Sequence, residues 1–378
     1  MRCVITQKVF PATLRALEAA GVQAIANTSG CTLSGSEVLK RVRDNDADAL
    51  FAFMTDSVDG DFLDSAPSLR VVGVAAKGLD NFDHAACCER DVTLTRCEDH
   101  LTAPTAELAI ALLLAASRRL QEGHEAVTAA PAGTEGAFCG WEPRLYGNGV
   151  YGSTIGVVGF GAVGQAIARR LLPFEPALIN WYDPAMERLL FGAGEGLGGS
   201  VTNTLVHGAQ QLVNVRGSIV RPHSGGLDGL LTDADAVVLA APLTHETCGL
   251  IDRERLALMC GSGEDDSSAT DVGTILVNVG RGSVVDESAV AEALRAGPHD
   301  GLGAYASDVF SFEDWALQVE QQGDVGESDS SGGISEALRT APRTVFTPHL
   351  GSATVAARRA IELDTAAQIV AALETTRC

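Results

Sequence analysis

Long apolar runs are missing from this chain. Its most apolar stretch, Leu108 to Ala116, is too short to cross a bilayer, so no membrane span is expected. Positive charge is scarce. Lys and Arg number 27 against 49 Asp and Glu, a formal net charge of −22. That balance argues against nucleic acid and anionic lipid as partners, because their phosphates repel such a surface. No C-x-x-C occurs among the nine cysteines, and Cys87 and Cys88 are adjacent. An odd count without paired spacing is a poor disulfide framework and marks no metal site, and it fits reduced thiols in a cytoplasmic protein. The opening residues, Met-Arg-Cys-Val-Ile-Thr, have strand character and no signal-peptide pattern. No internal repeat stands out.

What is present is a 46% hydrophobic chain of 378 residues, enough for two domains with a large core. The segment Ser153 to Leu171 is its most informative stretch. Ile155 to Val158 reads as a buried strand, Gly159, Gly161 and Gly164 form G-x-G-x-x-G, and helical apolar spacing follows. In a dinucleotide site the first glycine makes the tight turn, the second admits a pyrophosphate and the third packs helix on strand. The helix start, at Ala162 and Val163, offers backbone N–H groups to phosphate. A second apolar run, Ala177 to Trp181, leads to Asp183, nineteen positions after Gly164. That is the place of a carboxylate that binds the ribose hydroxyls of NAD. Pro184 and Ala185 follow, with no Arg for a 2′-phosphate, so NAD is expected over NADP.

The organisation around this motif is α/β throughout. Cys3–Thr6, Ala24–Ala26, Ala49–Phe53 and Val71–Val74 read as strands of a first unit without a phosphate loop. Thr102 to Ser117 reads as a helix that is apolar nearly all round. Val237–Ala241, Thr274–Asn278, Gly303–Ser307 and Thr344–Thr347 continue the second unit, and Ala353 to Leu373 reads as a closing helix. The expected architecture is therefore two doubly wound α/β domains. A Rossmann NAD-binding domain, 102–352, is inserted into a discontinuous flavodoxin-like substrate domain, 1–101 with 353–378. Three stretches, 192–229, 261–271 and 321–343, are rich in Gly, Ser or acid and read as inserted, solvated loops.

Charged residues recur just past predicted strands, where ligands bind in open α/β sheets. Arg281 lies in Asn-Val-Gly-Arg-Gly-Ser-Val-Val-Asp-Glu, Asp308 and Glu313 in Ser-Asp-Val-Phe-Ser-Phe-Glu-Asp-Trp, and His349 in Thr-Pro-His-Leu-Gly-Ser. Lys77 follows the strand Val71–Val74. Hydride transfer from a small anion needs an anion clamp, a base, and a carboxylate that orients the base. Arg281, His349 and Glu313 can fill those roles.

In this order, with Ala-Pro-Leu-Thr-His-Glu-Thr between them, the motifs resemble the NAD-dependent D-isomer-specific 2-hydroxyacid dehydrogenases over most of the chain. The resemblance implies that Arg281, Glu313 and His349 are catalytic. It also implies cofactor contacts at Thr105, Pro242, Thr247, Val279, Gly280, Asp308 and Ser352, and pairing as a homodimer. A finer resemblance is to the phosphonate dehydrogenase branch, which oxidises phosphite to phosphate. It is carried by Phe-Met-Thr-Asp, Ala-Lys-Gly-Leu-Asp-Asn-Phe-Asp, Leu-Thr-Ala-Pro-Thr-Ala-Glu and Gly-Trp-Glu-Pro-Arg-Leu-Tyr-Gly. That branch implies substrate-side roles for Met54, Lys77, Gly78, Leu101, Trp141, Tyr146 and Arg358. The expected activity is then phosphite oxidation. Interconversion of a 2-hydroxy acid and its oxo acid, as in a glyoxylate or hydroxypyruvate reductase, and an NAD-binding regulatory scaffold are the alternatives.

Overall fold

The structure is a computed structural model that describes residues 1–130, 145–191, 200–213, 219–259, 272–314 and 333–375. The chain divides into two compact units. The described residues of the first are Met1–Pro104, Asp314 and the chain from Ser352 to Thr375; those of the second run from Thr105 to Glu313 and from Gly333 to Gly351.

The first unit holds a five-stranded sheet in the order β2-β1-β3-β4-β5. Its strands are β1 (Arg2–Ile5), β2 (Gln23–Ala26), β3 (Ala49–Ala52), β4 (Val71–Val74) and β5 (Thr93–Arg96). All of its pairings are parallel, and β3 and β4 are buried at every residue, as short apolar runs with both faces covered must be. The helix Val355–Thr375 covers one face, with Ile369 and Thr365 against β4 at Gly73. It also caps another helix. Pro11–Ala19 has no side-chain cap of its own. The buried Glu362 carboxylate accepts from the Phe10 amide at 2.8 Å and from the Thr13 hydroxyl at 2.8 Å, which places negative charge at that helix N-terminus.

The second unit holds a seven-stranded sheet in the order β12-β11-β10-β9-β6-β7-β8. Its strands are β6 (Thr154–Val158), β7 (Leu178–Tyr182), β8 (Val220–Pro222), β9 (Ala236–Leu239), β10 (Ile275–Asn278), β11 (Ala304–Ser307) and β12 (Thr344–Phe346). Every pairing is again parallel. The strand order reverses between β6 and β9, and that switch point lies beside the glycine turn. The helix Thr102–Ser117 places Ala106, Ala109, Leu112, Leu113 and Ala116 in the core of this unit, together with Trp181, which stacks on Phe160 at 4.6 Å. The doubly wound α/β class expected from the sequence is the class observed.

Two of the expected loops contain regular structure. The stretch 192–229 holds the helix Ser200–Val213 and strand β8, and Ala209 and Leu212 are buried in the core. High glycine content hid a short apolar spacing there. The stretch 321–343 includes the helix turn Glu336–Arg339, capped by the Ser335 hydroxyl. The stretch 261–271 lies outside the described residues. Strand β5, Thr-Leu-Thr-Arg, escaped the sequence reading because it lies at a sheet edge and is nowhere fully buried. No helix among the described residues is long and apolar enough to cross a membrane. The buried thiols Cys3, Cys87 and Cys97 form no disulfide. Burial pushes the Cys3 thiol up to about 12 and the other two up to about 11.

Candidate active site

The glycine turn sits at the carboxyl end of β6. Gly159 has φ +88°, and a Cβ there would lie 2.7 Å from the Ala241 amide nitrogen; a Cβ on Gly164 would lie 2.0 Å from the Gly159 carbonyl oxygen. Only glycine allows both approaches. Gly161 differs, because a Cβ there would meet nothing within 4 Å. That is the side on which a pyrophosphate would lie. The helix Ala162–Leu171 starts at this point, and no side chain caps it. Asp183 follows β7. Its Oδ2 accepts from the Phe160 amide at 2.8 Å, and its Oδ1 from the Ala185 and Met186 amides at 3.1 and 2.9 Å. The carboxylate is thus tied to the glycine turn, and its remaining lone pairs can take ribose hydroxyls. The cradle, the uncapped helix start and the carboxylate fit a dinucleotide. The other residues of this unit expected to contact the cofactor cluster past neighbouring strands. The Thr247 hydroxyl donates to the Pro242 carbonyl at 2.6 Å, and the Val279 amide donates to Leu239 at 3.0 Å. The space beside Gly351 is closed by the Thr105 hydroxyl and the Asp308 carboxylate, each 3.2 Å from where a Cβ would be.

Arg281, Glu313 and His349 lie past the carboxyl ends of the adjacent strands β10, β11 and β12. Glu313 occupies the single 3-10 turn Ser311–Glu313, and its Oε1 accepts from the Phe310 amide at 2.8 Å. Its Oε2 lies 2.5 Å from His349 Nδ1. This contact fixes the ring, directs the proton on Nδ1 to the carboxylate and turns Nε2 away from it. His349 has φ +55°, which is uncommon for a side-chain-bearing residue. Asp308 holds it there. The Asp308 carbonyl accepts the His349 amide at 2.9 Å, Oδ1 accepts the Thr347 hydroxyl at 2.6 Å and the Leu350 amide at 2.7 Å, and Oδ2 accepts the Gly351 amide at 2.8 Å. Burial pushes the Asp308 carboxyl up, while these donors and His349 pull it the other way. Asn278 does the same service for Arg281. Fully buried at the end of β10, it donates to the Arg281 carbonyl at 2.9 Å and accepts from the Gly280 amide at 3.0 Å. Sequence reasoning overlooked Asn278 and the clamp made by Asp308. The signal for Asn278 was its place as the last strand residue in Asn-Val-Gly-Arg.

Within the first unit, Met54 and Lys77 lie past β3 and β4, both half-buried, with Gly78 next to Lys77. The two loops are fastened together. Asn81 Nδ2 donates to the Met54 carbonyl at 2.8 Å, and the Val58 amide donates to the Asn81 carbonyl at 3.1 Å. The Arg358 guanidinium lies 5.2 Å from the Phe53 ring centre, in the same loop as Met54. Leu101 packs on the core of this unit, and Ser352 opens the segment that leads into Val355–Thr375. Tyr146 is placed apart from the Arg281, Glu313 and His349 group. It is 60% exposed and lines a narrow recess with Arg119, Arg343, Ile275 and Ala304, at the amino ends of β10 to β12. Trp141 lies outside the described residues.

A buried carboxylate underlies the Met54 loop. Asp56 Oδ2 accepts from the Thr6 hydroxyl at 2.5 Å and the Phe53 amide at 2.7 Å. Burial pushes its carboxyl up, and the two donors pull it down less strongly. A folded value above the unfolded one gives stability that is present below about pH 4 and lost as the pH rises through the raised value. Asp56→Asn keeps an oxygen for both donors and removes the titration. It is expected to lose less thermal stability than the native chain between about pH 4 and 7. Parallel Tm-against-pH curves for the two proteins would contradict this.

Known proteins bear the same pattern. The profile of the family described as D-isomer specific 2-hydroxyacid dehydrogenase, NAD binding domain, matches residues 110–189 and 206–351. The chain is 34% identical to a glyoxylate reductase of Thermococcus onnurineus over 330 residues, 86% of this chain and 79% of that one. It is 33% identical to a glyoxylate reductase of Pyrococcus furiosus over 326 residues, 86% of this chain and 78% of that one. Among solved structures, the TT0316 protein of Thermus thermophilus superposes with a TM-score of 0.73 at 29% identity, covering 99% of this chain and 97% of that one. With its NAD-binding sheet, glycine turn and ordered motifs, the chain belongs to the D-isomer specific 2-hydroxyacid dehydrogenases and is an NAD-dependent oxidoreductase of that family.

Proposed function

We propose that this chain interconverts a small 2-hydroxy acid and its 2-oxo acid, with glyoxylate as the first substrate to test. The observation that carries this reading is the His349–Glu313 pair on strand ends adjacent to Arg281. The similarity to glyoxylate reductases supports the choice of substrate. NAD, when bound, supplies the hydride acceptor for oxidation and, reduced, the donor for the reverse. Arg281 pairs with the substrate carboxylate, for which a guanidinium offers two parallel donors. His349 Nε2 gives a proton to the carbonyl oxygen as it becomes an alkoxide, or removes it in the other direction. Glu313 stabilises the imidazolium whenever His349 is protonated.

A second reading, oxidation of phosphite to phosphate, is favoured by one residue. Lys77 is one of three lysines in the chain, with Lys8 and Lys40, and it is half-buried past β4 beside Gly78. A doubly charged, strongly hydrated oxyanion gains from a cation beyond Arg281. Here His349 takes a proton from the water that attacks phosphorus, and the hydrogen on phosphorus leaves as hydride. The experiment is a paired assay at 340 nm: reduced cofactor with glyoxylate or hydroxypyruvate, and NAD with phosphite. Turnover confined to the oxo acids supports the first reading, and turnover confined to phosphite replaces it with the second. Lys77→Ala separates them further. A lost charge-assisted hydrogen bond, about 1.5–3 kcal/mol, raises KM for phosphite by roughly 10- to 150-fold. It leaves KM for glyoxylate within about threefold if Arg281 alone grips that carboxylate.

A further inference from the structure

Glu287 is a buried acid for which the proposed chemistry has no task. It is the first residue of the helix Glu287–Ala296 and is 9% exposed. Acidic side chains are seldom so buried without a partner, and this one has a specific partner. Its Oε1 accepts from the Ser311 amide at 2.7 Å. Ser311 opens the 3-10 turn that ends in Glu313.

That turn depends on its surroundings for its position. A single 3-10 turn is short and weakly bonded, and its own backbone hydrogen bond is Glu313 to Phe310 at 3.0 Å. Its position is set from outside. A Cβ on Gly282 would lie 1.8 Å from the Phe310 carbonyl carbon and 2.2 Å from the Ser311 nitrogen, so the turn after Arg281 lies directly against the turn that carries Glu313. Phe310 packs edge-on against Phe346 of β12, with ring centres 5.4 Å apart. The Glu287 carboxylate holds the polar side of this contact through the one amide two residues before Glu313. Its negative charge also sits at a helix N-terminus, where it is favoured.

We propose that Glu287 is a positioning residue for the reaction. By fixing the Ser311 amide it sets where Glu313 Oε2 meets His349 Nδ1, and it touches neither substrate nor cofactor. The proposal rests on the reading of His349 and Glu313 as the acid–base pair, and the test separates the two. Glu287→Ala, Glu287→Gln, Glu313→Ala and the double variant Glu287→Ala/Glu313→Ala are compared in steady-state reduction of the oxo acid that the native chain turns over best, or in phosphite oxidation if only phosphite is turned over. A misplacement of about 1 Å in a catalytic group can cost on the order of 100-fold. Glu287→Ala is therefore expected to lower kcat by roughly 10- to 100-fold, with KM for the cofactor within about twofold. Glu287→Gln keeps an oxygen for the Ser311 amide and is expected to recover kcat to within about threefold of native. The double variant is expected to be no slower than Glu313→Ala, because the two changes remove one function.

An unchanged kcat in Glu287→Ala would overturn the proposal, and so would a double variant slower than Glu313→Ala by the full effect of the single change. Native turnover in Glu313→Ala would instead overturn the reading beneath it. If Glu287→Ala does not fold, Glu287→Asp keeps the charge and withdraws it by one methylene. A kcat loss like that expected of Ala supports the proposal, and native kcat sinks it.

Discussion

His349→Asn is expected to lower kcat by about 10²–10⁴, the usual contribution of a positioned acid–base group. Asparagine is a cleaner choice than alanine. His349 has φ +55°, and asparagine tolerates that region better than most residues. The His349 amide can still donate to the Asp308 carbonyl, so the loop keeps its anchor. Cofactor affinity, read by fluorescence titration with NADH, is expected to stay within about threefold, because the glycine turn and Asp183 are untouched. Retention of more than about a tenth of native kcat would remove His349 from the chemistry under either proposed substrate.

Arg281→Ala is expected to reduce kcat/KM by roughly 10²–10⁴. Two hydrogen bonds to a charged group are lost, each worth about 1.5–3 kcal/mol. Arg281→Lys restores charge without the planar fork and is expected to recover only part of the loss. The local fold is expected to survive the loss of the 2.9 Å bond from Arg281 Nη1 to the Gly280 carbonyl, because Asn278 still holds this turn through the Arg281 carbonyl and the Gly280 amide. Added guanidinium is expected to rescue Arg281→Ala in proportion to its concentration. Native kcat/KM in Arg281→Ala would place the anion clamp elsewhere.

The sheets were legible because their central strands are short, continuous apolar runs. Val71–Val74 and Ile275–Asn278 stand out by composition, and the glycine spacing marks the turn after β6. Edge strands are weaker signals. β5 has no buried residue and β8, Val-Arg-Pro, has one, so their residues carry little apolar signal. The proposed catalytic trio was readable because each member follows a strand. Its support was not readable, for a physical reason. Asp308 holding the His349 loop, Asn278 shaping the Arg281 turn and Glu287 holding Ser311 are bonds from side chains to backbone. Such bonds depend on where two loops meet in space, and sequence spacing carries no record of that.

The cap that Glu362 places on the Phe10 amide joins residues 352 positions apart. During vectorial synthesis, the first sheet leaves the ribosome long before its covering helix, Val355–Thr375, exists. At 5–20 residues per second, the interval between β4 and that helix is roughly 15–60 s. Through that time one apolar face of the nascent sheet is without its lid, while the seven-stranded unit is being synthesised. The NAD-binding unit can complete its own core first, whereas the substrate unit closes last. Nascent-chain proteolysis should therefore find residues 1–104 cleavable until translation has passed the closing helix.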